Sequence, residues 1–237
     1  PLQIDTTSAA AMESALRIYN GKAMINSVNG KEESMRAIFP LAKKYGGLIV
    51  ALTLDENGIP PKAEDRLEIA RKILAEAQKY GIEKKDLIFD PLALTVSADN
   101  NSAVETLKAI ELINTQLGCH TSLGVSNVSF GLPSRDLING SFFTMALCRG
   151  LSAAIMNPYS TDMMKTYYAF RALHGMDENC ADYIGYMTNL ADLENNDDYR
   201  VLIEKKAENV YRSIFFSDVG SFISPRLLQR TNAFVPI

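Results

Sequence analysis

Acidic and amide side chains follow the apolar, strand-like segments of this sequence. Six short apolar segments each end in Asp, Asn or an Asp-Glu pair. These residues are Asp5, Asn26, Asp55 with Glu56, Asp90, Asn127 and Asn157. The turns at the other ends of the segments use different residues, since KYGG, KYG and QLG close three of the helical stretches. Because parallel strands of a barrel open their carboxyl ends onto one face, this asymmetry predicts a polar ligand site there.

These residue types suit two kinds of ligand. A carboxylate accepts hydrogen bonds from adjacent N–H donors and a carboxamide both donates and accepts, so together they can recognise a planar heterocycle such as a pterin or a purine. The oxygens of Asp5, Asp55, Glu56 and Asp90 can also bind a hard cation, for which Mg²⁺ is the best candidate without histidine. Taken singly, each residue is also an ordinary turn residue that bonds local backbone.

Other catalytic groups are poorly placed. His120 precedes a strand and His174 ends a helix, so each is expected to be a surface or structural residue rather than a partner of a nucleophile. Cys119, Cys148 and Cys180 show no CxxC spacing and are expected in or near the core. Neither GxGxxG nor GxxxxGK[ST] occurs, so a nucleotide phosphate cradle is not indicated.

Composition and charge narrow the class of protein. The 237 residues are 47% hydrophobic and 22% charged, which is typical of a globular chain. A net charge of -4 without a basic run argues against nucleic acid as a partner. No apolar run reaches the ~18 residues that span a bilayer, so no membrane is expected. The odd number of cysteines favours a reducing, cytoplasmic setting.

Apolar strand patterns alternate with amphipathic helical patterns along most of the chain. Strands are predicted at 2–4, 23–25, 48–54, 87–89, 122–125 and 152–156, with helices at 9–19, 32–45, 62–80, 103–117, 134–149 and 162–174. Serial βα units of this kind predict a parallel sheet, and they favour a closed α/β barrel over an open sheet. Two further helices are expected at 178–190 and 199–215. We therefore expect a barrel over 1–175 and a C-terminal helical extension or linker over 176–237.

Six motifs carry a family resemblance that runs in order along residues 1–175. They are IDTTS (4–8), INSVNG (25–30), LTLDENGIP (52–60), IFDPLALTVS (88–97), LGVSNVSFGLPSRDLIN (123–139) and GLSAAIMNP (150–158). This series resembles the pterin-binding domain of cobalamin-dependent methionine synthase and of the methyltetrahydrofolate:corrinoid methyltransferases. Dihydropteroate synthase is a more distant member of the same family.

The resemblance implies a fold and a set of roles. The family folds as a TIM-type (βα)8 barrel with the folate across its carboxyl-end mouth. Asp5, Asn26 and Asp90 are then expected to hydrogen-bond the pterin ring, and Asn127 to lie near N5, which carries the methyl group. No metal is expected in this site. A carboxamide releases no proton at useful pH, so Asn127 is expected to donate an N–H to N5 while Asp5 relays a proton through water.

Four further residues are weaker site candidates. Ser126, like Ser27 and Ser129, is expected to shape the mouth or to cap a turn. Arg135 is expected either to meet the glutamate tail of folate or to form a surface ion pair. Asp55 is expected to define the ring pocket indirectly, and Asn157 is a candidate because it ends the last strand.

The resemblance also implies a reaction and its partners. The expected activity is transfer of the N5 methyl group of 5-methyltetrahydrofolate to a Co(I) corrinoid, as in methionine synthesis from homocysteine. The sequence has no DxHxxG cobalamin signature and no cysteine cluster for zinc. Cobalamin is therefore expected on a corrinoid-binding partner domain or protein, and homocysteine on a separate zinc domain; a homodimer stays open. Alternatives are a fragment that only binds folate or docks the corrinoid partner, and a dihydropteroate synthase-like enzyme.

The length departs from the family pattern. The first motif matches the end of the third strand of the family barrel, so strands three to eight are expected in this chain and the first two βα units are not. A partial barrel leaves sheet edges open. The residues after 175 are expected either to lead toward a neighbouring module or to cover part of an open edge.

Overall fold

The computed structural model describes residues 2–194 and 212–215. In this part of the chain six strands run parallel, each paired with the next in chain order. They are β1 (Gln3–Asp5), β2 (Met24–Asn29), β3 (Leu48–Leu52), β4 (Leu87–Asp90), β5 (His120–Gly124) and β6 (Ala153–Met156). Sequential parallel order with a helix after each strand is the connectivity of a TIM-type barrel, of which this sheet is a part. All six predicted strands are confirmed, although their ends shift by up to four residues.

The helices also follow the sequence pattern. They are α1 (Ala9–Ile18), α2 (Glu32–Tyr45), α3 (Ala63–Lys79), α4 (Ser102–Leu112), α5 (Arg135–Cys148), α6 (Thr161–Leu173) and α7 (Ala181–Glu194). The predicted single helix at 103–117 is an α-helix followed by a π-helical turn, Ile113–Leu117. It stops at Gly118, whose φ of 55° is left-handed and suits glycine. None of the helices in the described ranges is both long and apolar enough to span a bilayer.

The two faces of the sheet carry different residues because strand side chains alternate. Ile25, Ile49 and Phe89 point outward and share one buried cluster with α2 and α3 residues such as Phe39 and Ile73. A separate, smaller cluster lies on the opposite, inner face and is built from Met24, Val50, Ile88 and Ala153. The outer cluster therefore packs α2 and α3 against the sheet. The inner face is the one whose polar side chains can face a ligand at the mouth of the barrel.

Regular pairing of β2 breaks at the point where its polar residues begin. Asn26 pairs with Val50 and Val28 pairs with Ala51, so Ser27 is an extra residue between two paired positions. A bulge of this kind re-aims side chains and is frequent beside active sites. The bulge lies in the middle of β2, directly after the candidate site residue Asn26.

A seventh strand corrects one prediction. β7 (Arg212–Phe215) pairs antiparallel with β6, so the helix predicted at 199–215 is wrong for these four residues. Four residues, Arg-Ser-Ile-Phe, are too few to show a helical or a strand period, and the open β6 edge offers unpaired backbone groups that an added strand satisfies. The expected cover of an open edge is confirmed at β6. The rest of 199–215 and the tail lie outside the described residues, and the division at residue 175 stays a prediction.

Candidate functional site

The strand register brings three predicted site residues to one face of the sheet. Asp5 pairs with Asn26, and Asn26 pairs with Val50. Asp90 lies two residues after Ile88, so it shares the side of its strand. Val50 and Ile88 both belong to the inner cluster. Because side chains alternate along a strand, Asp5, Asn26 and Asp90 all occupy the inner face. Asp5 and Asp90 end β1 and β4, whereas Asn26 lies inside β2, so the prediction that it follows its strand is wrong.

Asp90 is the most enclosed of the three. Only 6% of the residue is exposed, and its Oδ1 accepts a hydrogen bond from the Leu92 N–H at 2.8 Å. No described residue donates to Oδ2. Burial raises the pKa of Asp90 to about 7, although the Leu92 N–H and the positive charge of Arg66 oppose this rise. A ligand that brings N–H donors would favour the ionised form and compensate for its burial.

Asp5 and Asn26 lie side by side nearer the solvent. Asn26 is half-buried. Its backbone carbonyl oxygen accepts a hydrogen bond from the Thr6 N–H at 3.0 Å, which fixes the backbone directly after Asp5. Asp5 is exposed as a whole residue, but nearby atoms desolvate its carboxylate enough to raise its pKa. The pair thus offers an amide and, beside it, a carboxylate whose pKa lies above that of a free Asp.

Asn127 lies on a 3-10 helix, Val125–Ser129, that directly follows β5. The side chain is exposed. A Cβ atom at position 124 would come within 3.1 Å of the Asn127 Nδ2, so Gly124 leaves the carboxamide room in its present position. The structure therefore presents an accessible amide beyond the carboxyl end of β5, and the carboxyl ends of parallel strands lie at one end of the sheet.

Arg135 holds the loop that carries Asn127. Its Nε donates to the Ser129 Oγ at 2.9 Å and its Nη2 donates to the Ser126 carbonyl oxygen at 2.8 Å. The guanidinium also lies 4.7 Å from the ring centroid of Phe130. Ser129 is fully buried and donates to the same Ser126 oxygen at 3.2 Å. These donors serve the loop, and contact of Arg135 with a folate tail stays a prediction.

Asp55 and Asn157 behave as turn residues in this structure. The Asp55 Oδ1 accepts from the Asn57 N–H at 2.8 Å, and the Asn157 Oδ1 accepts from the Tyr159 N–H at 3.0 Å. Glu56 is exposed. Asx turns of this kind are the local backbone bonding that the turn interpretation expects.

The histidines lie apart from the mouth. His120 begins β5 at the amino end of the strand, where its register with Ile88 places it on the inner face and burial lowers its pKa. The imidazole of His174 stacks on Phe170 with ring centroids 4.9 Å apart, which is a structural contact. In the described part of the chain, no three His, Cys, Asp or Glu side chains converge as a metal site would require.

The cysteines are divided between core and surface. Cys119 is buried, which confirms the prediction for that residue. Cys148 and Cys180 are exposed, so the core prediction is wrong for them. Cys148 is the last residue of α5, and Cys180 ends a 3-10 turn, Glu178–Cys180, before α7.

Comparisons with known proteins agree with this architecture. A family model described as pterin binding enzyme matches residues 1–157. A methylcorrinoid:tetrahydrofolate methyltransferase from Eubacterium limosum is 32% identical over 186 residues, which cover 77% of this chain and 69% of that protein. The methionine synthases of Mycobacterium tuberculosis and Mycobacterium leprae are each 31% identical over 170 residues, covering 66% of this chain. The chain belongs to the pterin-binding enzyme family.

Membership confirms the family resemblance and the partial barrel. The relatives named above are a methyltransferase and methionine synthases, which indicates a methyltransferase for this pterin-binding enzyme as well. The match spans only 14% of the length of each methionine synthase. The site roles of single residues remain predictions.

The sequence interpretation missed two buried residues of this pterin-binding enzyme. Arg66 is fully buried on α3, and a signal was present, because it falls within the apolar stripe of Ala63, Leu67 and Ala70. Ser122 lies on β5, and the pairing of Phe89 with Thr121 places it beside Asp90 on the inner face. Its buried Oγ has no hydrogen-bond partner within the described residues, and the sequence pattern gives no signal for that.

Proposed function

We propose that this chain binds 5-methyltetrahydrofolate and transfers its N5 methyl group to a Co(I) corrinoid held by another domain or protein. One observation carries the proposal. The buried carboxylate of Asp90, the half-buried carboxamide of Asn26 and the carboxylate of Asp5 lie on one inner face, toward the carboxyl ends of the strands, with the exposed amide of Asn127 beyond β5. In barrels of this type that end of the sheet carries the chemistry.

Recognition of the pterin is assigned to Asp90 and Asn26. The pyrimidine part of a pterin presents a ring N–H and an amino group side by side, and a carboxylate can accept from both. Asp90 is enclosed, has an oxygen with no described donor, and has a pKa near 7, so it can be ionised by the ligand it binds. Asn26 can meet an adjacent edge that mixes donors and acceptors.

The methyl transfer itself needs help at N5. A methyl group on a tertiary amine is a poor electrophile, because the departing amine would be an unstable anion unless N5 gains a proton or a strong hydrogen bond. Asn127 can supply that N–H and strengthen the contact as charge develops in the transition state. Asp5 relays the proton through water, and desolvation raises the pKa of its carboxyl above that of a free Asp.

The corrinoid supplies the cobalt nucleophile that takes the methyl group, so the CH₃–N5 bond breaks as the CH₃–Co bond forms. The exposed positions of Asn127 and Asp5 leave N5 open to a partner that approaches the mouth. The Eubacterium limosum relative is named for transfer from a methylcorrinoid to tetrahydrofolate. The same groups would serve that reverse direction, since a transition state is shared by both directions. Delivery to homocysteine would then take place on another domain.

The proposal is tested by incubating the chain with 5-methyltetrahydrofolate and free cob(I)alamin and following the corrinoid absorbance. Methyl transfer above the uncatalysed rate is expected, and the reverse assay starts from methylcobalamin and tetrahydrofolate. Asp86→Asn serves as the control, because Asp86 precedes β4 at the opposite end of the strand and its side chain pairs with Lys22. Folate binding without transfer in either direction would favour a binding or docking role instead. Absence of both binding and transfer would refute the proposal.

A further inference from the structure

A single buried arginine ties together the loops around Asp90. The Arg66 Nε donates to the Pro60 carbonyl oxygen at 2.8 Å. Its Nη1 donates to the carbonyl oxygens of Pro91 at 3.0 Å and Leu92 at 3.2 Å. The same nitrogen lies 3.0 Å from the Thr106 Oγ1. One guanidinium therefore links the loop before α3, the loop after β4 and helix α4.

The segment held in this way is unusual in its backbone. Leu92 has a φ of 67°, a left-handed conformation that a leucine seldom adopts. Its N–H donates to the Asp90 Oδ1, while its carbonyl oxygen accepts from both Arg66 and Thr106. Leu92 therefore bonds Asp90 through its N–H and Arg66 through its carbonyl oxygen. The bond to Arg66 holds Leu92 in the backbone conformation that directs its N–H at Asp90.

An arginine is a costly residue for this position. Arg66 is fully buried, and its Nη2 has no hydrogen-bond partner within the described residues. Burial lowers its pKa, and the charges of Glu105, Asp90 and Asp99 oppose that effect. An apolar residue would fill the stripe of α3 with no desolvation cost. A guanidinium is useful here because the carbonyl oxygens of Pro60, Pro91 and Leu92 accept its hydrogen bonds.

We infer that Arg66 is a positioning residue, which fixes the segment 90–92 so that the Asp90 carboxylate is presented to the pterin in one orientation. The inference rests on the proposed function. Arg66 acts in two ways: its planar donors fix the loop, and its charge favours the ionised form of Asp90. Lysine can replace the charge but not the planar fork that reaches three carbonyl oxygens from one group.

Four variants of the full chain separate these effects. Arg66→Lys keeps the charge and loses the fork, while Arg66→Met loses both. Thr106→Val keeps Arg66 and removes one of its anchors. Arg71→Met is the matched control, because Arg71 lies on the same helix but is exposed and bonds Gln116 and Glu68. Hydrogen exchange of the peptide that spans residues 90–95 reports on the loop without any ligand.

The expected results differ among the variants. Both Arg66 variants and Thr106→Val should speed exchange in the 90–95 peptide, and Arg71→Met should not. Arg66→Met should weaken 5-methyltetrahydrofolate binding by about tenfold or more and move the pH midpoint of binding upward, because Asp90 would be harder to ionise. Arg66→Lys should weaken binding with a midpoint near that of the wild type.

Two outcomes would overturn this inference, and a third would overturn the proposed function alone. Wild-type exchange, affinity and pH midpoint in the folded Arg66→Lys and Arg66→Met variants would overturn the positioning role. If Arg66→Met does not fold, wild-type exchange and affinity in both Arg66→Lys and Thr106→Val would overturn it equally. If the wild type binds no folate while the Arg66 variants still loosen the 90–95 peptide, the proposed function fails and the loop-holding role stands.

Discussion

Asp90→Asn should make the folded chain more stable above neutral pH and should abolish pterin binding. The Asp90 carboxyl is buried, and its pKa rises from 3.8 to about 7 in the folded chain. Asparagine keeps the oxygen that accepts the Leu92 N–H and carries no charge to desolvate. The variant also loses the carboxylate that is proposed to accept the two N–H groups of the pterin edge.

The size and sign of the stability effect follow from the two pKa values of Asp90. Below pH ~4 the carboxyl is protonated in both states, so it makes no difference between them. As the pH rises toward 7, the unfolded chain ionises first and the free energy of unfolding falls. Above about 7 both states are ionised and the loss is complete. The difference between about 7 and 3.8, at ~1.4 kcal/mol per pH unit, amounts to ~4 kcal/mol.

Urea unfolding of both proteins between about pH 5 and about pH 8 measures the part of this loss that falls above pH 5, which is ~2 pH units or ~3 kcal/mol. The chain has no tryptophan, so far-UV circular dichroism is the suitable signal. Asp55→Asn is the control, because the Asp55 Oδ1 also accepts a backbone N–H at 2.8 Å but is only half-buried. The free energy of unfolding of the wild type should fall across this range, and that of Asp90→Asn should not show this fall. An identical pH slope in the two proteins would show that the burial argument for Asp90 is wrong.

Further substitutions test the other site residues. Asn127→Ala should lower the rate of methyl transfer to cob(I)alamin more than it lowers folate affinity, and equal losses would count against a transition-state role. Gly124→Ala places a Cβ within 3.1 Å of the Asn127 Nδ2 and should reduce the same rate while folate affinity, measured by calorimetry, changes little. Arg135→Lys keeps the charge but loses the paired bonds to the 126–129 loop, and a slower rate with faster hydrogen exchange in that loop is expected. Asn26→Ala should weaken folate binding by roughly tenfold, and an unchanged dissociation constant would remove it from the pterin site.

The position of Arg66 on the buried face of α3 follows from the helical pattern, but its hydrogen-bond partners do not. The stripe of α3 residues predicts a buried face, and Arg66 falls within it, but the pattern cannot tell whether the side chain turns back to solvent. Its acceptors come from residues 60, 91, 92 and 106, which are far apart in sequence. Only the packing of two loops against α4 decides that the guanidinium is enclosed and engaged.

The sequence by itself determined the serial strand and helix order, because alternating and helical periods are local properties of the chain. It also determined that Asp5 and Asp90 end their strands, and parallel strands then bring those ends to one edge of the sheet, whereas the structure places Asn26 inside β2. The tertiary structure decided what burial does to each group, since a pKa depends on neighbours from several elements: it raised that of Asp90 to about 7. It also placed β7 on the β6 edge, because strand pairing satisfies backbone groups regardless of helical pattern.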